Sequence, residues 1–103
     1  MNAFDLTGKA AIVTGGNDGI GRGIAIGLAD AGASVCIAGR NETKNDGVRR
    51  EIENSGGAAI AVGCDVNVAA DIDAAIAATE DAFGSLEILV NNAGIAELDA
   101  PEH

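Results

Sequence analysis

Short apolar runs and longer mixed segments alternate along this chain. The apolar runs cover residues 10–13, 34–38, 58–64 and 86–90, and predominantly apolar runs of this length are typical of buried β-strands. The segments after the first and third runs carry apolar residues at helical spacing, which predicts amphipathic helices. These residues are Ile20, Ile24 and Leu28 in the first helix, which runs to about residue 30, and Val68, Ile72, Ala75, Ile76, Thr79 and Phe83 in the third, which ends at Gly84.

The segment between the second and third apolar runs has the weakest helical pattern. Its apolar face consists only of Val48 and Ile52, and Gly47 interrupts it. We predict a thin surface helix over residues 42–54, capped at its start by Asn41 or Thr43.

The resulting order of elements is β-α-β-α-β-α-β, which predicts parallel strands joined by helical crossovers. Because the strands are apolar throughout, we expect helices to cover both faces of the sheet. The predicted fold is therefore an α/β, Rossmann-type doubly wound parallel sheet, truncated after its fourth strand, with strand order 3-2-1-4. A single partial domain accounts for residues 1–103.

A glycine-rich turn separates the first strand from the first helix. Glycines follow Thr14 at positions 15, 16, 19 and 21, so neither the G-x-G-x-x-G fingerprint nor the P-loop pattern is present in this stretch. Glycines permit a tight turn and let a ligand approach the backbone closely. The first turn of a helix adds unpaired N–H groups and the positive end of its dipole. We therefore predict that this turn binds a phosphate group.

Four loops follow the carboxyl ends of the predicted strands, at residues 15–21, 39–41, 65–67 and 91–94. In a doubly wound sheet a ligand binds at this edge, where the strand order reverses. All four loops carry residues that suit a dinucleotide, and we predict a dinucleotide site here.

Arg40, in the second of these loops, indicates which dinucleotide binds. A nicotinamide-binding half usually carries Asp or Glu about 20 residues after the glycine loop, where it binds the ribose 2′-hydroxyl. An arginine suits a 2′-phosphate instead, which favours NADP, with NAD as the alternative. Asp18 in the glycine loop complicates this interpretation because its charge opposes a phosphate. Arg40 could also be an ordinary solvated loop arginine.

Asp65 and the stretch from Asn91 to Gly94 each allow two interpretations. Asp65 could accept a hydrogen bond from the adenine amino group, or it could be a loop or cap residue before the third helix. Asn91-Asn92-Ala93-Gly94 supplies amides for neighbouring backbone groups and small residues that leave room for a ribose. It could equally be an ordinary turn at the end of a strand.

Composition excludes several classes of function. The net charge of −10 argues against nucleic acid and against an anionic membrane surface. No apolar run approaches the roughly 20 residues of a membrane-spanning helix, and the first residues lack a signal-peptide pattern. Cys36 and Cys64 stand in no metal-ligand spacing, which predicts reduced thiols packed in strands. We therefore expect a cytoplasmic protein without a bound metal.

Three motifs together resemble the short-chain dehydrogenase/reductase family, namely Thr14-Gly15-x-x-x-Gly19-Ile20-Gly21, Cys64-Asp65-Val66 and Asn91-Asn92-Ala93-Gly94. The resemblance covers nearly the whole chain. It implies an NAD(P)-dependent oxidoreductase, homo-oligomeric in its complete form, that transfers hydride between the nicotinamide and a secondary alcohol or ketone. Around the glycine loop the sequence is similar to the sugar, sugar-acid and polyol members.

The resemblance also implies which residues bind the cofactor. The glycine-loop residues would shape the pyrophosphate and nicotinamide side, and Arg40 would select the cofactor. Asp65 and Val66 would hold the adenine, while Asn92 would lie beside the adenosine ribose and brace the sheet. The full implied set is Gly15, Asn17, Asp18, Gly19, Ile20, Gly21, Arg40, Asp65, Val66, Asn92, Ala93 and Gly94.

The resemblance does not extend to catalytic residues. Members of this family act through Ser, Tyr and Lys, the last two in a Y-x-x-x-K arrangement, together with a helical Asn. The sequence contains no tyrosine and ends shortly after Gly94. It therefore resembles a cofactor-binding half that stops before the active site, and we predict that it is inactive alone. The alternatives are a free-standing nucleotide-binding or interaction module, and a flavodoxin-like domain that shares only the sheet topology.

Overall fold

Within residues 5–92, a four-stranded parallel sheet forms the centre of the fold, with the third and fourth strands of the chain at its two edges. The structure, a computed structural model, describes residues 5–92. The strands are β1 (Ala10–Thr14), β2 (Ser34–Gly39), β3 (Ala59–Gly63) and β4 (Ile88–Asn91), and the helices are α1 (Gly19–Asp30), α2 (Glu42–Asn54) and α3 (Ala69–Phe83). The predicted alternation of strands and helices and the predicted strand order are confirmed.

Each face of the sheet carries its own hydrophobic cluster, because successive side chains of a strand point to opposite faces. The cluster beneath α1 and α2 consists of Val13, Ala25, Ala33, Val35, Ile37, Val48, Ile52 and Ala59. The cluster beneath α3 consists of Ile12, Cys36, Ala38, Cys64 and Ala75. Helices therefore cover both faces over the central strands β1 and β2, as predicted. The edge strands β3 and β4 are only partly buried.

The strands differ from the predicted runs mainly at their ends. β1 continues to Thr14, which stands in register with Ala38 of β2 and Asn91 of β4, although a polar residue ends the apolar pattern. β4 begins at Ile88 rather than at residue 86, and Leu86 packs against the cluster beneath α3 before the strand starts. An apolar pattern reflects burial, whereas the bounds of a strand reflect backbone pairing. The two therefore differ at the ends of these strands.

The first turn of α1 packs differently from the prediction. Ile20 was predicted to belong to the apolar stripe, but its side chain is 66% exposed. The buried residues of α1 are Gly21 and Ala25. The helix starts in close contact with the glycine loop, which leaves no room for a large side chain on its buried face there.

Both cysteines are free and buried, as predicted, but only Cys36 lies in a strand, because β3 ends at Gly63, just before Cys64. Burial raises the pKa of the Cys36 thiol and of the Cys64 thiol. Within residues 5–92, no helix has the length and apolar content needed to cross a membrane. The same residues contain no group of three or more His, Cys, Asp or Glu side chains placed to hold a metal ion.

Candidate cofactor site

The glycine loop leaves the sheet beside the end of β2. The N–H group of Gly15 donates to the carbonyl oxygen of Ala38 at 2.8 Å, which holds the start of the loop against β2. Gly15 has φ +64° and Gly19 has φ +52°, a left-handed backbone that favours glycine. A Cβ atom at Gly19 would meet no other atom within 4 Å. This glycine is therefore required by backbone conformation, and the space beside it is open to a ligand.

Gly21 is required for a different reason, because it packs directly against the loop. A Cβ atom at Gly21 would lie 2.0 Å from the carbonyl oxygen of Gly15 and 2.5 Å from Nδ2 of Asn92. Asn92 is buried and donates from Nδ2 to the same carbonyl oxygen at 3.2 Å. The glycine loop, the first turn of α1 and the end of β4 are thus joined at one point.

The start of α1 retains hydrogen-bonding capacity for an anion. Asp18 caps the helix: its carboxylate accepts from the N–H of Gly19 at 2.9 Å, and its carbonyl accepts from the N–H of Arg22 at 3.1 Å. The first N–H groups of a helix have no intrahelical acceptor. Those of Ile20 and Gly21 find none among residues 5–92. Together with the helix dipole, these groups suit a phosphate.

Lys44 neutralises the one acidic side chain in the glycine loop. Its Nζ lies 2.9 Å from Oδ2 of Asp18. The ammonium group of Lys44 holds the pKa of the Asp18 carboxyl below its ordinary value, so Asp18 remains ionised. The anticipated conflict between Asp18 and a phosphate is therefore reduced by a cation that the sequence pattern did not indicate.

A buried asparagine in α2 fixes the glycine loop relative to β2 and β3. Asn45 is only 1% exposed, and its Nδ2 donates to the carbonyl oxygens of Gly39, at 2.8 Å, and Val62, at 3.2 Å. Its Oδ1 accepts from Nδ2 of Asn17 at 2.7 Å. A Cβ atom at Gly39 would lie 2.6 Å from that same Asn17 nitrogen. The amide of Asn45 therefore connects the ends of β2 and β3 with the glycine loop.

Sequence reasoning missed Asn45, although a signal was present. The buried residues of α2 are Asn45, Val48 and Ile52, which are spaced as neighbours on one helix face. A polar residue in line with the only two apolar residues of a helix indicates a buried side chain with specific partners.

Arg40 directly follows β2 and is exposed. Within residues 5–92 its guanidinium forms no ion pair with an acidic side chain. Its side chain is thus available to an anion at the edge where the glycine loop lies.

Asp65 lies just beyond the end of β3, and its side chain forms a hydrogen bond within the turn that follows this strand. Its Oδ1 accepts from the N–H of Asn67 at 2.9 Å, and its N–H donates to Oδ2 of Asp71 at 2.9 Å. The residue at the N-cap of α3 is Val68, which makes no side-chain cap, so Asp65 is a loop residue rather than the cap of that helix. Val66 is half-buried beside it.

The structure therefore brings together most of the predicted site at one edge of the sheet. The loops after β1, β2 and β4 meet through the bonds of Gly15, Asn45 and Asn92, and Cys64 donates its N–H to the carbonyl oxygen of Gly39 at 3.0 Å, which holds the loop after β3 beside them. The predicted residues Ala93 and Gly94 lie outside the described residues. A groove of about 440 Å³ between the ends of α1 and α2 lies at the opposite edge and includes none of the predicted site residues.

The sequence matches the family model for short chain dehydrogenases over residues 9–103. The chain belongs to the short chain dehydrogenase family. It is 42% identical over 93 residues to the short chain dehydrogenase/reductase astE of Aspergillus oryzae, covering 89% of this chain and 36% of that protein. It is 46% identical over 90 residues to the 2,5-dichloro-2,5-cyclohexadiene-1,4-diol dehydrogenase LinX of Sphingobium indicum, covering 87% of this chain and 36% of that one.

Two solved structures are also similar to this short chain dehydrogenase in both sequence and fold. A hydroxysteroid dehydrogenase from Escherichia coli is 40% identical with a TM-score of 0.83, over 85% of this chain and 37% of that chain. A 7α-hydroxysteroid dehydrogenase solved with NADH and 7-oxo glycochenodeoxycholic acid is 39% identical with a TM-score of 0.83, over 88% and 36%. The chain spans about a third of the length of these relatives.

Proposed function

We propose that this chain is the cofactor-binding part of an NAD(P)-dependent oxidoreductase that transfers hydride between the nicotinamide and a secondary alcohol or ketone. The observation that carries the proposal is the turn between β1 and α1. Gly15 and Gly19 adopt left-handed backbone there, and Gly21 lies where no Cβ atom fits. The N–H groups at the start of α1 point to the same turn, which suits the pyrophosphate of a dinucleotide.

The similar proteins support a dinucleotide cofactor and an alcohol substrate. One relative is named a diol dehydrogenase, and one similar structure is a hydroxysteroid dehydrogenase complexed with NADH. On the dinucleotide proposed here, Asp65 and Val66 would hold the adenine and Asn92 would lie near the adenosine ribose. A sugar, sugar-acid or polyol substrate stays a prediction from the sequence.

The nicotinamide would supply the hydride acceptor or donor, and the residues of this chain would bind and orient it. Proton transfer to or from the substrate oxygen needs an acid–base group in contact with it. The chain contains no tyrosine and spans about a third of its relatives, so we propose that the Ser, Tyr and Lys of the family lie outside this chain. Sequencing the reading frame that contains it tests this, and a frame without Y-x-x-x-K would contradict it.

We further propose that the cofactor is NADP, because Arg40 stands where a nicotinamide-binding half usually has an acidic residue. The test is a parallel fluorescence titration of the full-length product of that reading frame with NADPH and NADH. We expect tighter binding of NADPH, and we expect Arg40→Gln to weaken NADPH binding about tenfold, the lower bound for a charged hydrogen bond. Tighter binding of NADH by the unchanged protein would overturn this assignment.

A measurement of turnover distinguishes the proposed oxidoreductase from a free-standing nucleotide-binding module without catalytic activity. The full-length protein should oxidise NADPH in the presence of a ketone or reduce NADP in the presence of a secondary alcohol. Cofactor binding without turnover across a panel of both substrate types would favour the non-catalytic module instead. The cytoplasmic location and homo-oligomeric assembly stay predictions.

A further inference from the structure

The ion pair between Lys44 and Asp18 joins the first turn of α2 to the glycine loop. Lys44 lies in the first turn of α2, shortly after Arg40. Its backbone N–H donates to Oδ1 of the cap residue Asn41 at 3.0 Å. Asp18 lies in the glycine loop and caps α1. Both charged side chains are exposed, and an exposed ion pair contributes little to stability. The main consequence of this pair is therefore its effect on the charge distribution beside the glycine loop.

Two cations stand on the segment that leaves β2, and their surroundings differ. Arg40 forms no ion pair within residues 5–92, whereas Lys44 is bound to Asp18 at 2.9 Å. Of the other acidic groups on this part of α2, Asp46 is paired with Arg49 and Arg50. The carboxylate of Glu42 lies beside the end of β3, where a Cβ atom added to Gly63 would be 3.1 Å from its Oε2. Arg22, whose charge also acts on Asp18, is paired with Glu51. A dianionic group between the glycine loop and Arg40 would therefore have Lys44 as a second cation, besides Arg40, on the segment that leaves β2.

We propose that Lys44 is a second residue that recognises the 2′-phosphate of NADP, and that it is released from Asp18 when the phosphate binds. This inference rests on the proposed dinucleotide site. A phosphate carries up to two negative charges and strong acceptor oxygens, so it competes effectively with the single carboxylate for an ammonium group. Asp18 remains in place by its hydrogen bond to Gly19. A cofactor with only a 2′-hydroxyl offers no such competitor, so the ion pair stays intact and affinity for it depends less on Lys44.

Lys44→Gln in the full-length protein tests the first half of this proposal. The variant removes the charge but keeps a side chain of similar length on an exposed helix position, so folding should be preserved. We expect the ratio of NADPH affinity to NADH affinity to fall by about three- to tenfold, less than for a buried charged contact because the site is solvated. The matched control is Lys9→Gln, which removes the same charge before β1 at the opposite edge of the sheet and should leave the ratio unchanged.

Asp18→Asn tests the second half of the proposal, in which Lys44 exchanges Asp18 for the 2′-phosphate. Asparagine caps a helix as well as aspartate does, so α1 should be retained while Lys44 is freed. We expect the affinity ratio to rise in favour of NADPH by a similar factor. In the Lys44→Gln background the same change should raise the ratio much less, because the cation it frees is gone. A gain of equal size in both backgrounds would show that Asp18 acts on the phosphate directly, and would overturn the exchange.

The remaining outcomes separate this inference from the proposed function. If the unchanged protein binds both cofactors but Lys44→Gln weakens NADPH and NADH equally, Lys44 does not read the 2′-phosphate and the inference fails while the site stands. If neither cofactor binds the unchanged, folded protein, the proposed function itself fails. Circular dichroism of each variant identifies any loss of folding, and replacement of Lys44 by Arg should restore the ratio if only the positive charge is required.

Discussion

At the scale of single residues, the loops of the candidate cofactor site depend on positions that accept only one type of residue. Gly21 leaves no space for a Cβ atom beside Gly15, and the buried amide of Asn45 bonds two carbonyl groups and one further amide at once. Leaving such buried polar groups unpaired costs about 1–3 kcal/mol each. The arrangement of the loops is therefore set by steric exclusion and by a few buried hydrogen bonds.

Gly21→Ala should disrupt the glycine loop. The added Cβ atom would overlap the carbonyl oxygen of Gly15, and overpacking of this kind typically costs about 1–3 kcal/mol. We expect a lower free energy of unfolding in urea and at least a tenfold loss of NADPH affinity. Gly23→Ala is the matched control: a Cβ atom there meets nothing within 4 Å, and replacing glycine by alanine inside a helix should stabilise the protein by about 1 kcal/mol. Similar effects of the two substitutions would contradict the steric argument.

At the scale of elements, the pairing of β1 with β4 depends on polar contacts at both ends. Thr14 donates from Oγ1 to the carbonyl oxygen of Val90 at 3.2 Å at the end that faces the cofactor loops. At the other end, Oε1 of Glu87 accepts from the N–H of Ala10 at 2.7 Å, and the N–H of Glu87 donates to the carbonyl oxygen of Ala10 at 3.0 Å. Since Asn92 directly follows β4, these contacts also position the side chain that donates to the carbonyl oxygen of Gly15.

The Glu87 contact should make stability depend on pH. The hydrogen bond from Ala10 lowers the pKa of the Glu87 carboxyl below its ordinary value of 4.5. The folded state then binds this proton less readily than the unfolded state does. The stabilisation is therefore present above about pH 4.5 and is lost as the pH falls through the lower folded pKa. Glu87→Gln should lower the free energy of unfolding at neutral pH and flatten its decline in acid, measured by urea unfolding across that range. Parallel curves for the two proteins would contradict this role.

The extent of α2 shows where sequence patterns succeed. Its predicted span of residues 42–54 is confirmed, and Asn41, one of two predicted caps, accepts from the N–H of Lys44. Capping and helix propensity are local, so they can be read from neighbouring residues. The inward orientation of Asn45 depends on β2 and β3, which lie in other parts of the sequence.

At the scale of the whole molecule, the open edge of the sheet is the main liability. Within residues 5–92, β4 pairs only with β1, and Leu89 on this strand is 56% exposed. An exposed apolar edge strand is a template for pairing with another chain. Because the chain spans about a third of its relatives, we expect further residues of the full-length protein to cover this edge.

The isolated chain of residues 1–103 should therefore self-associate through β4. The net charge of −10 opposes association, so raising the salt concentration should promote it by screening that charge. Leu89→Lys should reduce association in sedimentation velocity. Val68→Lys adds the same charge at a 43% exposed residue just before α3 and should have less effect. A chain that stays monomeric at all salt concentrations would contradict the prediction and favour a free-standing module.

The sequence by itself determined the order of the elements, because hydrophobic period, glycines and caps act between neighbouring residues. The parallel sheet and its strand order were predicted indirectly, from the doubly wound fold that this alternation of strands and helices indicates. The sequence also indicated which loops would share one edge, since parallel strands bring their carboxyl ends together. Only the tertiary structure decided that Ile20 is exposed, that Asn45 is buried and that Lys44 neutralises Asp18. Each of these depends on contacts between segments far apart in the chain, which no local pattern encodes.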